Sequence, residues 1–267
     1  MSYTTIIEEQ DYKKRSYNWK TAIGLQQVDS LVPSEYLLDL ANRNIKGEMS
    51  LYDVRNKLQD YYANKPATTS DEQRQKEADL VSQRISELLS ENAFTLSSVQ
   101  LLAIHKHLFE GIYDFAGKIR TYNISKKEFV LNGETVEYGD KSMLQDMLDH
   151  DIAREKQFDY STLNAQQQIE HFAKFISDFW QIHCFAEGNT RSIAVFAIKY
   201  LRKLGYDTTN DLFEKHSFYF RNALVRANYT NLQKGIHSTQ TPLVAFFENL
   251  LLNKTHELKS RDILVAK

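Results

Sequence analysis

The sequence predicts an all-α protein interrupted once by a β-hairpin, and three observations carry that expectation. Its 9 glycines and 3 prolines are too few for a loop-rich β protein. Apolar residues return at the three-and-four spacing of a helix face through most of the chain. The exception is Asn132-Gly133, which stands between two β-prone runs, where a type I′ turn requires positive φ at both central residues. At 267 residues, 42% of them hydrophobic, the chain can fill one large domain and a small accessory unit.

The elements follow in order. Residues 1–65 read as a small helical unit. Pro33-Ser34 opens a periodic segment through Tyr36, Leu37, Leu38 and Leu40 that Gly47 can close as a left-handed cap, and Ser50 starts a second helix with Asp53 at capping-box spacing. The polar run from Asn64 to Gln75 marks a junction, set at 66–75. A main domain over 76–255 and a tail over 256–267 follow. Helical patterns cover about 72–90, 97–110, 141–152, 163–182, 190–204, 211–229 and 242–254, with Gly111 and Gly205 at helix ends and Pro242 in a first turn. Ile169, Phe172, Phe175, Ile176, Phe179 and Trp180 give 163–182 a wide apolar face. The 190–204 helix is apolar nearly all round. Both are expected at the centre of the fold, with the loop between them fastened at both ends.

Composition excludes several classes of function. A net charge of −2 argues against constitutive nucleic-acid binding. The single Cys184 cannot form an intrachain disulfide and fits a reducing compartment. No basic n-region leads an apolar stretch, and no apolar run approaches the roughly 18 residues a membrane span needs. A cytoplasmic protein with no membrane partner is the expectation. His105-Lys-His107 and Asp149-His150-Asp151 read as solvated helix surface, since residues two apart point to different faces.

The chemistry concentrates in Ile182-His183-Cys184-Phe185-Ala186-Glu187-Gly188-Asn189-Thr190-Arg191. Gly188-Asn189-Thr190 precede a helix, whose unpaired N–H groups and dipole make an anion site. Glu187 beside such a site fits a carboxylate that holds Mg²⁺ against phosphate oxygens. His183 suits a general base near neutral pH, and Arg191 can grip phosphate in a bidentate fork.

This run resembles the signature of the Fic family, His-Pro-Phe-x-(Asp/Glu)-Gly-Asn-Gly-Arg-x-x-Arg, with matches at His183, Phe185, Glu187, Gly188, Asn189 and Arg191. Ile112–Arg120 and Phe220–Tyr229 also look like family sequence, so the resemblance extends over roughly 70–255. It implies a Fic-fold helical bundle and a protein adenylyltransferase, moving AMP from ATP to a Ser, Thr or Tyr hydroxyl of a target protein with release of pyrophosphate. His183 would be the base, and Glu187 the Mg²⁺ ligand. Glu187, Gly188, Asn189, Thr190 and Arg191 would bind nucleotide, and Phe185 would anchor the loop. The hairpin, with Phe129, Val130, Leu131, Asn132 and Gly133, would align the target as a flap by strand addition; self-modification is a further expectation.

The sequence departs from the family pattern at three positions. Cys184 stands for the proline, Thr190 for the second glycine with a side chain that would narrow the cradle, and Ala194 for the second arginine, a γ-phosphate contact. The N-terminal unit resembles a fused Fic antitoxin. Its closest match to the inhibitory pattern Ser/Thr-x-x-x-Glu-Gly/Asn is Asn42 to Gly47, with Lys46 at the glutamate position. Asn42, Lys46 and Gly47 are therefore candidate regulatory residues, and Lys46 could take over the γ-phosphate contact. Two alternatives stay open: another nucleotide or transferred group on the same fold, and an inactive module that binds a partner protein.

Overall fold

The computed structural model describes residues 3–266; Met1, Ser2 and Lys267, at the ends of the N-terminal unit and of the tail, lie outside the described residues. Among the described residues ten α-helices follow one another: α1 (Tyr3–Gly24), α2 (Glu35–Ile45), α3 (Leu51–Asn64), α4 (Ser70–Ser90), α5 (Ser98–Phe109), α6 (Leu144–Gln157), α7 (Ala165–Ile182), α8 (Asn189–Lys203), α9 (Leu212–Ala227) and α10 (Thr241–Leu252). No helix among the described residues is long and apolar enough to cross a membrane. The long α1 was not expected as a separate helix, because its apolar residues are scattered among many charges.

Side-chain caps set most of the starts. Ser34 accepts from Leu37 N–H to open α2, and reciprocal capping boxes open α3 (Ser50 with Asp53), α4 (Thr69 with Glu72) and α7 (Asn164 with Gln167). Proline sits in the first turn of α10. The central pair is α7 and α8. Along α8 every residue from Asn189 to Leu201 is buried. Even Lys199 is inside, its ammonium donating to the carbonyls of Leu88 at 2.6 Å and Glu91 at 2.7 Å, where α4 ends.

The N-terminal helices carry their own apolar cluster of Trp19, Leu37, Leu40, Ala41, Met49, Val54 and Leu58, while Ala22 and Leu25 belong to the main core. The junction at 66–75 is a short irregular stretch followed by the first residues of α4, and α1 crosses back to pack on α4 and α9. Asp79, buried on α4, joins the parts: it accepts from Ser34 N–H at 2.7 Å, from the Ser34 hydroxyl at 2.5 Å and from Tyr62 of α3 at 2.6 Å.

The expected hairpin is absent. Among the described residues there is no strand, only one isolated bridge between Asn231 and Ile236. Phe129–Leu131 form a 3-10 turn, and Asn132 and Gly133 take the positive φ angles of 52° and 89° that the dipeptide favours. The ladder fails because Val130 and Leu131 are both fully buried, whereas consecutive strand residues face opposite sides. Two backbone bonds, from Glu128 N–H to Glu134 O and from Gly133 N–H to Glu128 O, close the loop instead. The Val130 carbonyl accepts from Val265 N–H of the tail at 2.9 Å.

Gly24 ends α1 where a Cβ would lie 2.4 Å from the Glu214 Cα and 2.6 Å from the Phe213 carbonyl. Gly24→Ala must push α1 away from α9. The expected cost is about 1–3 kcal/mol by overpacking, read as a lower urea midpoint at unchanged m-value.

Candidate active site

The loop from His183 to Gly188 joins the two central helices, and its shape is set from three sides. First, Asn189 folds it on itself: its Oδ1 accepts from Phe185 N–H at 2.9 Å and its Nδ2 donates to Phe185 O at 2.8 Å. The side-chain amide expected at a phosphate is thus tied to the loop's own backbone through its oxygen and one of its two N–H donors. Second, His105 of α5 holds the far end. Its Nδ1 accepts from Gly117 N–H at 2.8 Å, so its proton is on Nε2 and is donated to the Glu187 carbonyl at 3.0 Å. Its ring also stacks on Phe185, with centroids 3.7 Å apart. His105 is fully buried rather than solvated, because its helix face is the core face shared with Ile104 and Leu108. Third, Arg120 binds the near end. Nε donates to His183 O at 2.8 Å, and the other nitrogens donate to Tyr122 O at 2.6 Å and Gly139 O at 2.5 Å.

Gly188 caps α8 with φ 77°, and a Cβ there would meet the Phe109 ring at 2.4 Å, so only glycine fits. The N–H groups of the first turn of α8 follow, without helical partners. The Thr190 hydroxyl accepts from Trp180 Nε1 at 3.0 Å, which draws the side chain into the core rather than across the cradle. Ala194 is buried, so α8 offers no cation at that position.

His183 ends α7 in the left-handed region, at φ 50°. Its side chain is buried, neither ring nitrogen has a hydrogen-bond partner, and Tyr138 stacks on it at 4.1 Å. Burial first, then the charges of Lys126 and Arg221, holds its pKa well below the ordinary imidazole range. The ring is neutral with a free lone pair, the state a base needs. Cys184 is buried with its thiol pushed up to about 12, chiefly by burial, and does not ionise near neutrality.

Arg191 lies fully inside. It donates to Glu77 of α4 at 2.6 Å and to Gln26 Oε1 at 3.1 Å, and its Nε lies 2.9 Å from Asp29 Oδ2, an ion contact without a directed hydrogen bond. Asp29 also meets Arg221 at 3.2 Å, Arg221 pairs with Glu128 at 3.0 and 3.1 Å, and Glu128 accepts from the Tyr138 hydroxyl at 3.0 Å. A chain of ions thus runs from α8 to the ring over His183. Burial pulls the Asp29 pKa upward, but the guanidinium charges of Arg191 and Arg221 outweigh it and hold the carboxyl below its ordinary range.

Glu187 points outward and meets Lys126 Nζ at 2.8 Å. No group of three or more His, Cys, Asp or Glu converges among the described residues. A divalent cation at Glu187 would thus draw its remaining oxygens from a phosphate and water, as Mg²⁺ commonly does.

The structure brings His183, Glu187, Gly188, Asn189, Thr190 and Arg191 together, while Phe129–Gly133 follow Glu128, the residue that accepts from Tyr138, and Phe129 packs on Phe218. Asn42, Lys46 and Gly47 stand apart. They end α2, which packs on α1 and α3, and Lys46 is exposed at that helix's C-terminus. The N-terminal residues that reach Arg191 are Gln26 and Asp29, in the 3-10 turn Leu25–Asp29. These two, with Glu77 and Lys126, went unnoticed in the sequence, where each is an isolated polar residue without a motif; Arg120 and Arg221 stood inside family-like stretches and Glu128 at the start of the expected hairpin without roles of their own, and His105 was expected at the surface.

Residues 95–201 match the Fic/DOC family model. Protein adenylyltransferase VbhT of Bartonella schoenbuchensis is 27% identical over 139 residues, a match covering 48% of this chain and 28% of that protein.

Asp29→Asn leaves Arg191 buried with one of its two carboxylate partners gone. The expected loss is about 3–5 kcal/mol by urea unfolding. His105 gives a pH signature. Its pKa falls from 6.5 to about 4, mainly through burial, so its stabilising share is complete above 6.5 and lost as pH falls through 4. The difference in stability between the protein and His105→Gln should shrink by about 3 kcal/mol across that window, as read by denaturant melts at each pH.

Proposed function

The chain carries a Fic/DOC-family domain over residues 95–201, and from that premise we propose that it is a nucleotidyltransferase moving AMP from ATP to a Ser, Thr or Tyr hydroxyl of a protein. The observation that carries the reading is His183, a buried neutral imidazole with both nitrogens unpartnered, set five residues before a glycine-capped helix N-terminus.

His183 takes the proton of the target hydroxyl as its oxygen bonds to the α-phosphorus. The bond from that phosphorus to the oxygen bridging toward the β-phosphate breaks, and pyrophosphate leaves with the electron pair. The N–H groups at the start of α8 face charge on the α-phosphate oxygens. Glu187 is the residue that would hold Mg²⁺, which when bound neutralises phosphate charge. The Asn189 side chain and His105 keep the loop in shape, while the Asn189 N–H, at the start of α8, is one of the groups that face the phosphate. Arg191 meets phosphate only when Asp29 and Glu77 release it.

The target protein would approach over Tyr138 and the exposed Phe129, which packs against Phe218 with centroids 5.7 Å apart. A backbone contact there has to be local, since no strand edge is on offer and the tail already bonds the Val130 carbonyl. Self-modification uses the same geometry. The second reading, a protein-binding module without transfer, is favoured by Tyr138 lying over His183.

ATP labelled on either the α- or the γ-phosphate, supplied with Mg²⁺ and a lysate, separates these. Protein-bound α-label is expected, falling roughly 10²–10⁴-fold in His183→Ala. γ-Label on protein would overturn AMP transfer in favour of phosphate transfer, and no label would leave the binding module.

A further inference from the structure

Among the described residues, Arg191, Arg221, Arg120 and Lys126 are cations gathered round the loop and its ion chain, and the three arginines are committed elsewhere. Arg191 is held by Asp29 and Glu77, Arg221 by Asp29 and Glu128, and Arg120 by the carbonyls of His183, Tyr122 and Gly139. The fourth, Lys126, has one side-chain partner, the Glu187 carboxylate at 2.8 Å. Glu187 is also the group that the proposed reaction assigns to a metal ion. Loading the site therefore strips Lys126 of its counter-ion, and this cation already stands beside the carboxylate.

Lys126 is also built into place. Its N–H donates to the Thr135 hydroxyl at 3.1 Å, and the segment carrying it is fastened by Arg120 on one side and by the Glu128–Arg221 pair on the other. Its side chain is only partly exposed, at 23%, whereas the neighbouring Lys127 faces solvent and pairs with none of the described acids. Its positive charge acts on both His183 and Asp29, lowering the pKa of each. With Ala194 buried on α8, no side chain from that position competes for the role.

We propose that Lys126 is the phosphate-gripping cation of this chain. It neutralises Glu187 while the site is empty, yields the carboxylate when a divalent cation arrives, and turns its ammonium to the phosphate oxygens that share that cation. The inference rests on the AMP-transfer reading for its substrate, a nucleoside triphosphate. Lys126 and the metal ion are then rivals for Glu187 before nucleotide binds and allies once it has bound.

That reversal of sign is the test, because a merely structural lysine would move both bindings the same way. Lys126→Met, Lys126→Arg and Lys127→Met are compared in the full chain, the last controlling for loss of one nearby charge. Mn²⁺ alone is titrated and followed by the loss of its free electron-spin resonance signal. The α,β-methylene analogue of ATP is titrated with Mg²⁺ by calorimetry.

Lys126→Met is expected to bind Mn²⁺ roughly two- to five-fold more tightly, since a partly exposed ion pair no longer competes. It should bind the nucleotide analogue roughly ten-fold more weakly, through loss of a charge-assisted hydrogen bond. Lys127→Met should change neither, and Lys126→Arg should restore nucleotide affinity. The proposal is overturned if Lys126→Met leaves Mn²⁺ affinity equal to that of Lys127→Met, or weakens both ligands together. Neither titration requires turnover, so absence of protein labelling would sink the AMP-transfer reading without deciding this one.

Discussion

Asp29 is the constraint on which the rest of the site depends. One carboxylate, contributed by a short 3-10 turn far from the loop in sequence, is shared between Arg191 on α8 and Arg221 on α9. A buried arginine without a carboxylate is costly, and a carboxylate between two arginines is stable only if both stay in place. The turn therefore cannot be moved without disturbing two central helices. Through Glu128 the same chain of charges reaches Tyr138, and so the ring that covers His183. The N-terminal helices are joined to the active-site loop by ions, and to α4 and α9 by packing. The division of the chain at residue 65 is one of sequence composition more than of mechanics.

Much of the fold was legible, and for local reasons. Ser34, Ser50 and Pro242 mark helix starts because their chemistry acts within one turn. The wide apolar faces of α7 and α8 announced their central place, and the loop between them announced its glycine. The misread segment is instructive. Asn132-Gly133 did adopt the left-handed conformation that the pair favours, but Phe129-Val130-Leu131 is a contiguous apolar run without alternation, and a 3-10 turn buries two of its members side by side. A turn signal predicted a turn correctly; the flanking strands needed a pattern that was not there.

Long-range polar pairing was not legible. Asp29, Glu77 and Arg221 are separated by tens to hundreds of positions, and nothing in their surroundings distinguishes them from solvated charges. Asn189 shows a subtler gap. It was expected beside a phosphate, and its side chain bonds the Phe185 backbone; whether an amide faces a ligand or its own backbone depends on a loop shape that only coordinates supply. His105 was misjudged because the rule that separates His105 from His107 does not say which face is inside.

Arg120 carries one further consequence. Its guanidinium binds Tyr122 O and Gly139 O as well as His183 O, so it holds the beginning and the end of the intervening segment at one point, next to the base. That segment is a closed loop pinned again within its own length, by Glu128 on Arg221, Val130 on Val265 and Glu134 on Tyr229. Tyr138 and Lys126 ride on the same closed loop, so the ring over the base and the ammonium beside the acid are set by one frame rather than by two.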